Sequence, residues 1–128
     1  MAIFSQRLLA QEPAIINGDG EQTRDFIYVD DVVRANVLAV TTDLRGQYNV
    51  GSGLETSVNV LYACLAKHAG STLAPRHGPP KAGEQRRSVL DSRKLQAAAN
   101  WTPTVLLDEG LRRTVAYFAE RASRRKTT

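Results

Sequence analysis

INGDGEQTRDFIYVDDVV, residues 16–33, is the stretch on which the reading of this chain turns. Gly18-Asp19-Gly20 makes a turn, because its glycines reach backbone angles closed to residues that carry a Cβ. Thr23, Arg24 and Asp25 are polar and stand just before Phe26-Ile27-Tyr28-Val29, an aromatic and β-branched run that predicts a strand. Asp30 or Asp31 is then placed as a helix N-cap ahead of an apolar run. Arg24 therefore sits where a turn enters a strand, its backbone held by the structure after it. A guanidinium so placed is suited to two-pronged capture of a phosphate. The alternative, which composition alone favours, is that it pairs with Asp25 or a neighbour and only holds the turn.

On the amino-terminal side, residues 2–11 read as a short amphipathic helix with Ile3, Phe4 and Leu8 at helical spacing, and Pro13 stops it. A brief strand over residues 14–16 leads into the turn. On the other side, the helix from Val32 to Thr42 is apolar on most faces and is expected to be buried. Arg45-Gly46 turns the chain into a strand over residues 47–50, followed by Gly51-Ser52-Gly53 and a helix capped by Thr56 or Ser57. That order is similar to a dinucleotide fingerprint, but Thr56 stands where the third glycine is needed. It leaves a tight strand-to-helix turn or an anion site at the helix N-terminus.

The helix over residues 57–69 buries Val58, Leu61, Tyr62 and Leu65, with Gly70 as its cap and Cys64 as a small buried hydrophobe. His68 reads as a helix-terminus residue, and His77 has no partner at metal-ligand spacing. A strand from Leu73 runs into a Pro/Gly-rich loop carrying Arg76, His77 and Lys81. Arg86 and Arg87 precede an expected edge strand over residues 88–90, where one of them faces a ligand or both are solvated. Asp91 or Ser92 caps a helix from Arg93 to Ala99, and Asn100 suits the left-handed position at its end. Trp101 and Pro103 anchor the crossover to a last helix with Leu107, Leu111, Val115, Phe118 and Ala122 on one face.

Composition excludes several classes. With 128 residues, 42% hydrophobic and 23% charged, the chain is one soluble globular domain of modest core. No stretch has the length of a membrane span, and no basic-then-apolar leader stands at the start, so a cytoplasmic location is expected. One cysteine rules out a disulfide scaffold. The net charge of +4 comes wholly from Arg121, Arg124, Arg125 and Lys126, a basic tail expected to be disordered over residues 121–128. Without a basic face, nucleic acid is not the expected partner.

Five motifs now stand in order: GDGEQTRDFIYVDDVV from Gly18, Tyr48-Asn49-Val50-Gly51-Ser52-Gly53, Gly83-Glu84-Gln85-Arg86-Arg87-Ser88, Asp91 to Trp101, and LDEGLRRTVAYF from Leu107. Together they resemble the extended short-chain dehydrogenase/reductase family, and within it the NAD-dependent epimerase/dehydratases of the UDP-glucose 4-epimerase kind. The resemblance is to the second, C-terminal part of that family only. It implies an α/β fold, helices packed on short strands, with residues 1–120 forming the substrate-binding part of a Rossmann-type sugar-nucleotide enzyme and the nucleotide-binding half absent. It also implies that Arg24 binds the diphosphate of a nucleoside-diphosphate sugar. Lys81 stands where relatives carry a second diphosphate-binding Arg, and Glu84 where an acidic residue meets the ribose. Asn17 replaces an aromatic residue near the base, and Phe26 belongs to the same ribose and base region.

The family's chemistry is hydride transfer through NAD, with a Tyr-x-x-x-Lys pair. Four places after Tyr28, Tyr48, Tyr62 and Tyr117 stand Val32, Ser52, Ala66 and Arg121, so the pair is not encoded, nor is a Gly-x-x-Gly-x-x-Gly turn. No catalytic, cofactor or metal residue is therefore assigned. The expected function is binding of a nucleoside-diphosphate sugar, most of all a UDP-sugar, by a part inactive alone. The alternative is a non-catalytic interaction or oligomerisation module derived from that fold. With a half missing, the residue 32–40 helix and the first helix would expose an apolar patch, so a homo-oligomer or a separate NAD-binding half is the expected partner.

Overall fold

The structure, a computed structural model, describes residues 1–125. These form α1 (Ala2–Leu9), β1 (Ile15–Asn17), β2 (Thr23–Asp25), α2 (Val29–Thr41), β3 (Glu55–Ser57), α3 (Val58–His68), β4 (Arg76–Gly78), α4 (Arg93–Ala99) and α5 (Leu107–Arg125). The fold is α/β, with helices outweighing strands of three residues each. β1 pairs with β4 in parallel, Ile16 opposite His77, and β2 pairs with β3 antiparallel, Arg24 opposite Thr56. Ladders this short hold little by themselves. Cohesion comes from the helices: α1, α3 and α5 pack on one another around Leu8, Leu61, Leu65, Leu111 and Val115. Ala14 and Ile16 of the β1 segment close that core, and Phe4 meets Tyr62 edge-on at 5.6 Å.

A second, smaller cluster joins α2 to α4 through Ala35, Leu95 and Trp101, with Tyr48 and Val50 packed against it. Its polar centre is Asp31. This carboxylate is fully inaccessible and accepts from the Thr104 and Val105 amides at 3.0 Å each, from Thr104 Oγ1 at 2.8 Å and from Arg34 at 2.5 Å. Burial opposes its ionisation, but those hydrogen bonds win and hold its pKa at about 2, below the ordinary 3.8. Trp101 Nε1 donates to the Asp31 carbonyl at 3.2 Å. Asp31 thus stitches α2 to the crossover instead of capping the helix; the N-cap is Tyr28, and no side chain caps there.

Local chemistry explains the other helix ends. Ser57 caps α3 by accepting from the Val60 amide, and Ser71 N and Gly70 N close its far end on the Ala66 and Lys67 carbonyls, Gly70 having φ +62°. Asn100 ends α4 in the left-handed region at φ 50°.

Several expectations are corrected. Residues 26–28 are not a strand. Phe26 packs towards the three-helix core and Ile27 towards the Trp101 cluster, so this run bridges two cores with no ladder partner. Residues 47–50 are not a strand either: Lys94 Nζ on the Gln47 carbonyl and Asn49 Nδ2 on the Asp91 carbonyl pin them instead. Residues 88–90 also lack strand pairing. The α2 helix is not buried on most faces, for Val33, Val37 and Val40 are 51%, 53% and 86% exposed. The tail expected from residue 121 is helical to Arg125, and residues 126–128 lie outside the described residues. Among the described residues no helix is long and apolar enough to cross a membrane.

Candidate functional site

Parallel pairing of β1 with β4 brings Asn17-Gly18 and the Gly78–Lys81 loop to one edge. Gly18 N extends the pairing to the Gly78 carbonyl at 3.0 Å. Beyond these carboxyl ends opens a cleft of about 440 Å³, the position where α/β folds commonly take their ligands. Asn17, Asp19, Gln22, Lys81, Glu84 and Arg86 line it.

Arg24 reaches this cleft's rim from β2. Its Nη1 donates to the Thr23 and Gln85 carbonyls, both at 2.7 Å, and its Nη2 meets Glu84 Oε1 at 3.3 Å. Two carbonyls therefore fix the guanidinium, and its outer edge meets a carboxylate 60 residues away in sequence. Neither Asp25 nor another neighbour in sequence holds Arg24 through its side chain; Asp25 is engaged elsewhere. The segment carrying Glu84 lies along β2, since Thr23 N donates to the Arg86 carbonyl at 2.9 Å.

The two following arginines are both paired. Arg86 grips Asp19 two-pronged at 2.8 and 2.9 Å, and this guanidinium, aided by the Glu21 amide, holds the Asp19 carboxyl at about 2. Arg87 binds Glu55, which also accepts from Thr23 Oγ1 at 2.6 Å. Arg86 lines the cleft; Arg87 ties the same segment to β3. The Lys81 ammonium has no hydrogen bond or ion pair among the described residues, which leaves it available to an anion in the cleft.

Asp25 decides the Gly51-Ser52-Gly53 turn. Its carboxylate accepts from the amides of Ser52 at 2.8 Å, Gly53 at 2.9 Å and Leu90 at 3.2 Å, and from Ser52 Oγ at 2.5 Å. Burial raises the Asp25 pKa, but these donors outweigh it and the net shift is downward. A Cβ on Gly51 would come within 2.7 Å of Asp25 Oδ2 and of Leu90 Cβ, so only glycine admits the carboxylate here. The turn does bind an anion, and the anion is the chain's own.

Of the residues singled out in the sequence, Asn17, Lys81 and Glu84 share the cleft and Arg24 joins them through Glu84. Phe26 does not: it lines a separate apolar pocket of about 110 Å³ with Ile27, Leu54, Val105 and Leu107. His68 Nε2 lies 2.9 Å from Asp108 and His77 Nδ1 lies 2.7 Å from the Gly18 carbonyl, and both roles are structural. No group of three His, Cys, Asp or Glu among the described residues could hold a metal. Asp19 and Gln22 were missed as cleft residues. The signal was the register of β1 against β4, which no local pattern reveals.

A family model described as the NAD dependent epimerase/dehydratase family matches residues 1–51. The chain is 42% identical over 123 residues to the UDP-glucose 4-epimerase of Mycolicibacterium smegmatis, covering 95% of this chain and 39% of that protein. It superposes with a TM-score of 0.90 and 43% identity on the UDP-glucose 4-epimerase of Thermotoga maritima solved with UDP-glucose, covering 94% of this chain and 39% of that one. The UDP-glucose 4-epimerase of Thermus thermophilus, solved in complex with NAD, gives 0.83 and 39%, over 91% of this chain and 39% of its own. The chain thus spans about 39% of the length of these relatives. Where NAD is concerned, the Gly51-Ser52-Gly53 turn before α3 does not fit as a pyrophosphate site, because Asp25 already takes its Ser52 and Gly53 amides.

Proposed function

We propose that this chain, related in sequence and fold to the NAD-dependent epimerase/dehydratases, forms a nucleoside-diphosphate-sugar-binding part of such an enzyme and turns nothing over by itself. The observation that carries the reading is that Lys81 and Glu84 line one cleft at the carboxyl ends of a parallel strand pair and that Arg24 meets this lining at Glu84. Arg24, oriented by two carbonyls, and Lys81 supply the cations for a diphosphate. Lys81 is a point charge without a planar fork, so it attracts the anion without orienting it. Glu84 can accept hydroxyls of the ribose, and the Asn17 carboxamide can hydrogen-bond a base edge but offers no ring to stack on. Phe26 has no part in this site. UDP-sugars are the substrate class the relatives favour.

Calorimetry with UDP tests the reading. The purified chain binds UDP, and Arg24→Ala loses about 1.5–3 kcal/mol, the range for hydrogen bonds to charged groups. Because the guanidinium also ties β2 to Gln85, the unfolding midpoint is measured on the same samples. Equal UDP affinity in both proteins returns Arg24 to a purely structural role. The chain alone also retains no NAD and does not interconvert UDP-glucose and UDP-galactose; turnover by a preparation of verified mass overturns the inactive part of the proposal.

The exposed valines of α2 favour a second reading, a non-catalytic association module. Val29, Val33, Val37 and Val40 are all more than half exposed, as is Ile3 of α1. Folding that depends on concentration and ignores UDP would favour it over nucleotide binding.

A further inference from the structure

We propose that Glu84 is an intramolecular competitor for the anion-binding edge of Arg24, so that a diphosphate enters only by displacing it. The inference rests on the nucleotide-binding reading above and concerns how that same site is regulated.

The guanidinium is divided between two tasks. Nη1 gives both its hydrogens to the Thr23 and Gln85 carbonyls at 2.7 Å, which sets the plane of the fork and leaves Nη2 as the free prong. On that prong sits Glu84 Oε1, at 3.3 Å, well beyond the roughly 2.7–2.9 Å of a strong charge-assisted bond. The carboxylate thus fills the place of an anion without gripping it. Arg24 and Glu84 side chains are about equally open, at 30% and 29%, so an incoming oxygen can reach the pair.

The loop around Glu84 suits the exchange. Glu84 N donates to the Lys81 carbonyl at 3.1 Å, closing a four-residue turn with Gly83 at φ +76°. The turn is open at this point, since nothing lies within 4 Å of where a Gly83 Cβ would be, and the Glu84 side chain next to it is itself 29% exposed. Lys81, in the same turn, has no ion pair of its own among the described residues. Displacement therefore moves one carboxylate off Arg24 and admits a doubly anionic group between Arg24 and Lys81. Elsewhere in the chain the contrast is plain: Asp19 on Arg86 and Glu55 on Arg87 are two-pronged, with distances between 2.5 and 3.0 Å, and neither is built to leave.

The test uses inorganic pyrophosphate and UDP on the full chain, with Glu84→Gln as the isosteric variant. Gln keeps the shape and hydrogen-bonding capacity but removes the competing charge. Glu84→Gln is expected to bind pyrophosphate about 3- to 10-fold more tightly than wild type, the difference between a charged and a neutral hydrogen-bond partner. The gain should vanish when Arg24→Ala is added. For UDP the gain should be smaller, because the released Glu84 carboxylate can then accept ribose hydroxyls that pyrophosphate lacks. Equal or weaker pyrophosphate binding by Glu84→Gln overturns the proposal while leaving the nucleotide site intact. A gain that survives Arg24→Ala overturns it too, since it would then be bulk electrostatics. If wild type binds neither ligand but Glu84→Gln binds pyrophosphate through Arg24, competition is supported in its strongest form. No binding of either ligand to either protein removes the site and this proposal together.

Discussion

Helix α3 buries Leu61, Tyr62, Leu65 and Ala66 between α1 and α5, whereas α2, with valines at 29, 32, 33, 37 and 40, buries only Asp31 and Ala35. Both sequences are apolar enough to demand cover. What differs is how each helix is located. Shape places α3, because each side chain removed from water stabilises the fold by about 1.5–3 kcal/mol and several act together. A carboxylate places α2. Asp31 collects two amides, a hydroxyl and a guanidinium, and the valines on the other faces take no part. Apolar composition therefore says that a helix can be covered, not that it is.

The largest effect is expected on the α3 side. Leu65 is fully buried at the centre of the three-helix core, so Leu65→Ala should lower the unfolding free energy by about 2–5 kcal/mol. Val37→Ala on α2 should change it by no more than about 0.5 kcal/mol. Urea titration of both variants checks the pair. Similar losses would mean that α2 is covered in solution and that the two helices are alike after all.

The counterpart on α2 is Asp31→Ala. It leaves the Thr104 and Val105 amides without their acceptor, at about 1–3 kcal/mol each, and frees Arg34, so a loss of about 2–4 kcal/mol is expected. Trp101 fluorescence reports it locally, since its indole bonds the Asp31 backbone. A neutral outcome would return α2 to placement by Ala35 and Leu38 packing alone.

Legibility in the sequence divides along the same line. Ser57, Gly70 and Asn100 were readable as helix ends because capping is settled within four residues. The face of Leu111 and Val115 was readable from spacing. The strands were not. β2 falls at Thr23–Asp25, not in the more strand-like Phe26–Val29 run, because β3 supplies its partner 32 residues further on and the following run has none. Motif order singles out Arg24, Lys81, Glu84 and Asn17, and the fold places Asn17, Lys81 and Glu84 in one cleft with Arg24 against Glu84. The grip of Arg86 on Asp19 and the capture of the glycine turn by Asp25 were not legible, since each joins groups 67 or 27 residues apart. Asp31 is legible only as one of two candidate caps, Asp30 or Asp31, and the structure gives it another role.

Acid separates the buried carboxylate from the exposed ones. Asp31, Asp19 and Asp91 are each lowered from 3.8 to about 2, and Glu55 and Glu109 from 4.5 to about 2. The folded groups are the stronger acids, so the unfolded chain takes up protons first as pH falls. Stability is then complete above about pH 4.5 and drains away between there and pH 2. Asp31 contributes up to about 2 kcal/mol of that loss. The four exposed pairs add to it in the same direction, and added salt should erase their share while sparing that of Asp31. An acid transition equally deep in Asp31→Ala and wild type would shift the whole effect to the surface pairs.

The smallest expected change in stability tests the valine face most directly. Val33→Ser with Val37→Ser removes apolar surface that is already half in water, so the midpoint at low protein concentration should move by no more than about 0.5 kcal/mol. Association is where the pair should matter. If α2 is covered by a second copy, wild type should associate as its concentration rises, with an unfolding midpoint that climbs accordingly, and the double variant should lose both behaviours. Light scattering and equilibrium unfolding over a hundredfold concentration range, about 1–100 µM, would separate these outcomes, since such a range spans a micromolar association constant. A wild type that stays monomeric, with a midpoint indifferent to concentration, would show that Asp31 and its four donors suffice to hold α2 bare. The contrast with α3 would then be complete: one helix held by the volume it fills, the other by one buried carboxylate beside the small Ala35–Trp101 cluster.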